Sequence, residues 1–145
     1  MKKLDLIPLS GELPSPKDDL DAFARKVKAG ANSAITQYFY NADAYFSFVD
    51  EARALDVDIP IVPGIMPIAG FTKLARFSDA CGAEIPRWMR KKFESYGDDA
   101  DSIRAFGLDV VIALCERLLK SSAPKLHFYC INQSALTTEI CRRLG

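Results

Sequence analysis

At 145 residues, 49% of them hydrophobic, the chain has the size of a single domain and can bury about two thirds of its unfolded surface in a core. Lys plus Arg and Asp plus Glu both number 19, so a formal charge of zero supplies no long-range field to draw in nucleic acid or an acidic membrane. The four cysteines, Cys81, Cys115, Cys130 and Cys141, contain no CxxC pair, and His127 is the one histidine, so a zinc site lacks both ligands and spacing. Buried or half-buried free thiols in a reducing compartment are the expectation. The Met-Lys-Lys start has no apolar run of signal-peptide length, and no segment approaches the ~20 apolar residues of a membrane span. A cytoplasmic protein is expected.

In chain order, Lys3 to Leu9 (KLDLIPL) is a weak strand candidate, and Leu13 to Pro16 is a Pro/Ser-rich link. Asp18 to Lys28 reads as a helix with Leu20, Phe23 and Val27 inward, stopped by Ala29-Gly30-Ala31-Asn32. Ser33 to Tyr40 (SAITQYFY) is β-branched and aromatic, hence a strand. Asp43 to Leu55 spaces Tyr45, Phe48, Val49, Ala52 and Leu55 along one helical stripe. A second strand, Ile59 to Met66 (IPIVPGIM), carries prolines that suit a strand ending in an irregular loop.

A helix over Phe71 to Ala80 follows, then a short one entered through Pro86 that carries Trp88, Met89, Lys92, Phe93 and Tyr96. After the Gly97 to Asp101 turn the longest helix runs to Lys120, with Ile103, Phe106, Val110, Val111, Leu114 and Leu118 inward. Asp98, Asp99 and Asp101 at its start read as cap and dipole residues rather than as a metal cluster. Leu126 to Ile131 (LHFYCI) is the third clear strand, and Gln133 to Leu144 a closing helix.

Alternating strands and helices imply parallel strands joined by crossover helices. Periodicity does not separate a doubly wound open sheet from part of a (β/α)₈ barrel, which takes eight strands and typically ~250 residues. The Rossmann glycine fingerprint, the GxxxxGK[ST] phosphate loop and the GxSxG elbow are all absent, and a lone histidine argues against a Ser-His or Cys-His nucleophile. The residues by themselves reach a cytosolic α/β domain.

A linked set of motifs goes further. Ala29-Gly30-Ala31, then Ala34-Ile35-Thr36-Gln37-Tyr38-Phe39-Tyr40, Ile61-Val62-Pro63-Gly64-Ile65-Met66-Pro67, Ile85-Pro86, Gly107 and His127-Phe128-Tyr129-Cys130-Ile131-Asn132 resemble, in order, motifs of the bacterial methylenetetrahydrofolate reductases. The resemblance runs from Pro16 to Gly145 and implies an α/β chain that is a partial (β/α)₈ TIM barrel, its last three to four βα units. Residues 1–145 would form one partial-barrel domain, divergent over 1–16 and family-like over 17–145. Lys3 to Leu9 would be a remnant of the fifth strand. The implied activity is reduction of 5,10-methylenetetrahydrofolate to 5-methyltetrahydrofolate, with hydride passing from NAD(P)H through FAD. The family's catalytic Glu and its flavin-tuning Asp belong to the missing half, so this chain is expected to hold no catalytic residue and to be inactive alone. Its partner would be a chain supplying the N-terminal half-barrel, or a second copy of itself. The competing reading is a non-catalytic remnant that binds folate or self-associates through its sheet edges.

The resemblance also assigns sites. Asp19, Arg25 and Lys26 match flavin contacts; Asp19 and Lys26 share a helix face about two turns, roughly 10 Å, apart, although such residues also make an ordinary solvated face. Gln37 is polar within an apolar strand, so it is either a core amide satisfied by backbone or, as the resemblance implies, a contact to the pterin edge. Phe77 and Tyr129 match aromatics that flank folate or nicotinamide, although taken alone each reads as ordinary core. Pro63-Gly64 and Pro67 would shape the loop after the seventh barrel strand, glycine allowing close approach to a ligand. Departures are also visible. Leu6 and Ser10 stand where the family has a Tyr and a His against the flavin, Ala22 replaces an Asn-like contact, and Lys73 and Gln133 replace a Gln and an Arg at the folate rim.

Overall fold

The computed structural model describes the backbone of residues 3–7, 16–121 and 123–145, with side chains from Lys17 onward apart from position 122. Its order is β1 (Lys3–Ile7), α1 (Pro16–Lys28), β2 (Ser33–Tyr38), α2 (Ala42–Ala54), β3 (Ile61–Ile65), α3 (Phe71–Cys81), α4 (Arg87–Ser95), α5 (Ala100–Lys120), β4 (His127–Phe128) and α6 (Ser134–Leu144). The weak strand candidate is therefore a strand over Lys3–Ile7, while Pro8, Leu9, Ser10 and most of the Leu13 to Pro16 link lie outside the described residues. Among the described residues, no helix is long and apolar enough to cross a membrane.

Local chemistry sets most boundaries. The Asn41 side chain accepts the Asp43 amide at 3.1 Å and opens α2. Asp99 opens α5 by accepting both the Ser102 amide, at 3.1 Å, and its hydroxyl, at 2.6 Å. Of Asp98, Asp99 and Asp101, Asp99 is thus the capping residue, and Asp101 lies in the first turn of α5. Gly82 closes α3 at φ 70, a left-handed conformation that glycine adopts without strain.

All four strands are parallel and lie in the order β1-β2-β3-β4. A doubly wound sheet reverses its order at a switch point, and no reversal occurs among these strands. Right-handed crossovers between strands in monotonic order place all connecting helices on one face. The core lies there: Ala34, Tyr38, Ile61 and Ile65 from the sheet join one cluster with Ala52, Phe93, Val111 and Leu118 from the helices. Ile35 and Val62, which pair across β2 and β3, follow Ala34 and Ile61 directly and so point to the opposite face.

Several expectations need correction. The third clear strand shrinks from Leu126–Ile131 to His127–Phe128, because Ile131 and Asn132 turn the chain at φ 43 and 60. Pro63 and Gly64 sit inside β3, not in the loop after it. Ile103, Phe106 and Val110 pack only partly, the deeper face of α5 being Gly107, Val111, Leu114, Cys115 and Leu118. Of the four free cysteines, Cys115 is buried, Cys81 and Cys130 are half-buried, and Cys141 is exposed, where burial was expected.

Candidate functional site

The C-terminal ends of β2, β3 and β4 meet at one knot of hydrogen bonds. Pro63 has no N–H to give the ladder, and the β2–β3 register shifts between Ile35 and Tyr38, beside it. Thr36, fully buried, fills the gap: its hydroxyl accepts the Gly64 amide at 2.9 Å and donates to the Gln37 carbonyl at 2.8 Å. The Thr36 carbonyl is taken by the Tyr129 hydroxyl, which donates across 2.9 Å from just beyond β4. The Tyr129 amide in turn donates to the Ile65 carbonyl at 2.8 Å. Gly64 has to be glycine here, since a Cβ would stand 2.4 Å from the Thr36 carbonyl oxygen and 2.7 Å from the Tyr129 ring. The close neighbours of Gly64 are thus a backbone and a ring.

Tyr38 joins the knot to α3. Its ring meets Tyr129 edge-on at 6.4 Å, and its hydroxyl hydrogen-bonds the buried Ser78 hydroxyl at 2.8 Å. Burial raises the Tyr38 pKa despite the opposing pull of that bond, and burial raises Tyr40 well above the ordinary tyrosine value. Both phenols stay neutral at physiological pH.

Against this knot lies a cavity of about 360 Å³, bounded by the loop after β3, one face of α3 and the turn after β4. Phe77 and Tyr129 line it, as do Lys73 and Gln133, the two departures from the family pattern. Phe77 and Ile131, at 46% and 56% exposed, are two of the large apolar side chains left open to solvent, and both face this space. Pro67 also contributes to the wall. Among the described residues no carboxylate and no histidine lines the cavity, and those that do line it offer stacking, apolar contact and cationic attraction.

The remaining candidates are elsewhere. Gln37 borders a separate recess of about 100 Å³, and its side-chain oxygen accepts the Tyr38 amide at 3.1 Å. Its amide nitrogen has no partner among the described residues. Asp19 lies in the first turn of α1 and Arg25 and Lys26 in the last, none of them bordering the cavity; both cations are exposed and unpaired among the described residues. Two cations free of carboxylate partners are chemically suited to a diphosphate. Sequence reasoning missed Arg76, Met66 and Ile131 as cavity residues. The signal for Arg76 was its spacing, since positions 73, 76, 77 and 80 share one helical face.

With this geometry in hand, comparison with known proteins is informative. The sequence matches the family model described as methylenetetrahydrofolate reductase over residues 6–145. The chain belongs to the methylenetetrahydrofolate reductase family. It is similar to the 5,10-methylenetetrahydrofolate reductase of Escherichia coli K12, 34% identical over 134 residues that cover 92% of this chain and 45% of the relative. The enzyme of the same name from Buchnera aphidicola of Acyrthosiphon pisum is 37% identical over 137 residues, covering 94% of this chain and 47% of its own length. A probable methylenetetrahydrofolate reductase (NADPH) of Caenorhabditis elegans is 36% identical over 135 residues, 20% of its length. The chain therefore spans less than half of these family members, in the bacterial ones the C-terminal half. Among solved structures, an uncharacterized Clostridium thermocellum protein that binds two copies of 5-methyl-5,6,7,8-tetrahydrofolic acid superposes with a TM-score of 0.61. At 19% identity, over 94% of this chain and 50% of that one, the likeness is one of fold.

Proposed function

We propose that this chain is the folate-side half of a methylenetetrahydrofolate reductase: one unit over residues 1–145 forming the last four βα units of a (β/α)₈ barrel in the cytoplasm. The observation that carries this reading is the cavity at the C-terminal strand ends, where barrel enzymes build their sites, with Phe77 and Tyr129 both on its walls. The monotonic parallel order supports the barrel, because among the described residues it leaves one sheet face, that of Ile35 and Val62, without a crossover helix and two strand edges open to further strands.

In this reading Phe77 and Tyr129 stack on the flat ring of methylenetetrahydrofolate, and the free amide nitrogen of Gln37 donates to the pterin edge. The Thr36 carbonyl holds the Tyr129 hydroxyl, so the ring is set in place before ligand arrives. Arg25 and Lys26 would hold the diphosphate of FAD, with Asp19 hydrogen-bonding a hydroxyl of the same cofactor. When bound, FAD supplies the hydride relay between NAD(P)H and the folate. In this reading the proton donor comes from a polypeptide that completes the barrel, consistent with a cavity that no carboxylate lines among the described residues.

The test is co-expression with the N-terminal half of the E. coli relative. The complex is expected to carry flavin absorbance and to oxidise reduced nicotinamide when methylenetetrahydrofolate is added, whereas the chain alone does neither. A stable complex without flavin and without turnover overturns the reading.

A further inference from the structure

Charge along α4 and the turn after it is segregated, although the whole chain is neutral. Residues 87–92 carry Arg87, Arg90, Lys91 and Lys92, and residues 94–101 carry Glu94, Asp98, Asp99 and Asp101. Three of these have local work: Arg90 lies over the Phe71 ring, Lys92 over the Tyr96 ring, and Asp99 caps α5. Arg87, Lys91, Glu94 and Asp98 are exposed, and none of their side chains has an ion pair or hydrogen bond among the described residues. Their order also works against the helix that carries them. Arg87 opens α4, where the positive end of the dipole disfavours a cation, and Glu94 lies in the last turn, where the negative end disfavours a carboxylate. Beside them Trp88, 58% exposed, meets Phe106 edge-on at 6.3 Å and borders a groove of about 660 Å³ walled by Pro86, Val110 and Leu114. None of these residues borders the cavity beside Tyr129.

We propose that α4 is the centre of a two-fold interface between two copies of this chain. An anionic surface drawn to Arg87 and Lys91 would be repelled by Glu94 and Asp98 a turn or two further on. A strip that runs from positive to negative is instead complementary to its own reverse, which is the requirement of a two-fold contact. Placing the axis between Lys92 and Phe93, with the two helices antiparallel, sets Lys91 opposite the partner's Glu94. The same axis sets Arg87 opposite the partner's Asp98, and each contact is made twice. Charges misplaced for their own helix are then well placed for the partner's, since Arg87 comes to the negative end of the second α4 and Glu94 to its positive end. Trp88 comes opposite the partner's Gly97, a position where a side-chain carbon would meet nothing within 4 Å, so the indole has room. An aromatic anchor with a charged rim is the usual anatomy of such a contact.

Trp88 is the single tryptophan, so its fluorescence reports on this face and on no other. As the concentration of the full chain rises, its emission should move to shorter wavelength in step with dimer formation in sedimentation, and salt should reverse both. Lys91→Glu or Glu94→Lys alone turns two attractions into two repulsions and should weaken the pairing about tenfold. An equimolar mixture of the two variants restores opposite charges at both contacts and should associate again, as should the chain carrying both substitutions. Association that leaves the Trp88 emission unchanged belongs to the strand edges and overturns the proposal, as does an absence of association. Single variants that pair like the parent overturn it too. Weakened variants that neither the mixture nor the double substitution rescues would assign the strip to a partner of a different kind, and the two-fold contact would fail.

Discussion

Gly64 and Tyr129 are mutually dependent. A methyl group on Gly64 points at a carbonyl oxygen of the backbone, which cannot rotate away as a side chain can, and at the Tyr129 ring. Gly64→Ala is expected to destabilise the fold by about 1–3 kcal/mol through overpacking and to displace Tyr129 from the cavity wall. Tyr129→Phe keeps the ring but leaves the Thr36 carbonyl without its donor, at a cost of about 1–3 kcal/mol for an unsatisfied buried acceptor. Urea unfolding midpoints measure both; if the two variants match the parent, the knot contributes nothing. This arrangement was only half legible in the sequence. Pro63-Gly64 announced an irregularity, but its partner Thr36 is supplied by a different strand, and no local pattern names a partner across a sheet. Phe77 and Tyr129 could be found through family resemblance alone, because by spacing either reads as core.

A titration is expected at the same scale. Tyr45 donates to the Ile61 carbonyl at 2.7 Å, and burial, partly offset by Arg53, pushes its pKa up to about 12. An unfolded tyrosine ionises near pH 10, so above that value the unfolded chain binds fewer protons than the native one. Stability contributed by the neutral phenol is complete below pH 10 and declines as pH rises toward about 12. Stability measured across this window should fall more steeply in the parent than in Tyr45→Phe; parallel profiles would show that Tyr45 does not carry the effect.

Helix boundaries depend on chemistry a few residues long, and for that reason they were read well. Proline before α4 and aspartate before α5 mark ends that the structure places within a residue or two of expectation. The short β4 was read poorly. Leu126 to Ile131 has the composition of a strand, yet Tyr129 leaves the ladder to reach Thr36 and the chain turns at Ile131 and Asn132. Long-range bonding prevailed over local propensity. The cap on α5 gives a prediction for elements. Asp99→Ala should lower stability, as loss of an N-cap acceptor generally does. Hydrogen bonds from Ser102 hold the Asp99 carboxyl below its ordinary value, so its contribution is present above the usual carboxylate range and is lost as pH falls through the lowered pKa. An alanine variant should therefore differ from the parent at neutral pH and converge with it in acid. A constant difference in unfolding midpoint across that range would assign the cost to something other than the ionised cap.

For the whole molecule, the open question of the fold is its edges. Among the described residues, β2 and β3 are paired on both sides, whereas β1 and β4 pair on one side only. A closed barrel removes such edges, and an open sheet of this order keeps them, along with the face that carries Ile35 and Val62. Exposed amides and carbonyls along an edge template the addition of another strand, and a four-stranded piece offers this on both flanks. The chain purified alone is therefore expected to self-associate as its concentration rises, which sedimentation would detect. Amide exchange should be slow in β2 and β3 and fast in β1 and β4 at low concentration. Adding the complementary half-barrel should slow the edge amides and suppress edge-to-edge self-association together, because the same hydrogen-bonding groups would serve both contacts. A chain that stays monomeric at all concentrations, with edge amides as protected as those of the central strands, would mean that the edges are already covered within the molecule, and that no second polypeptide is needed to complete the sheet.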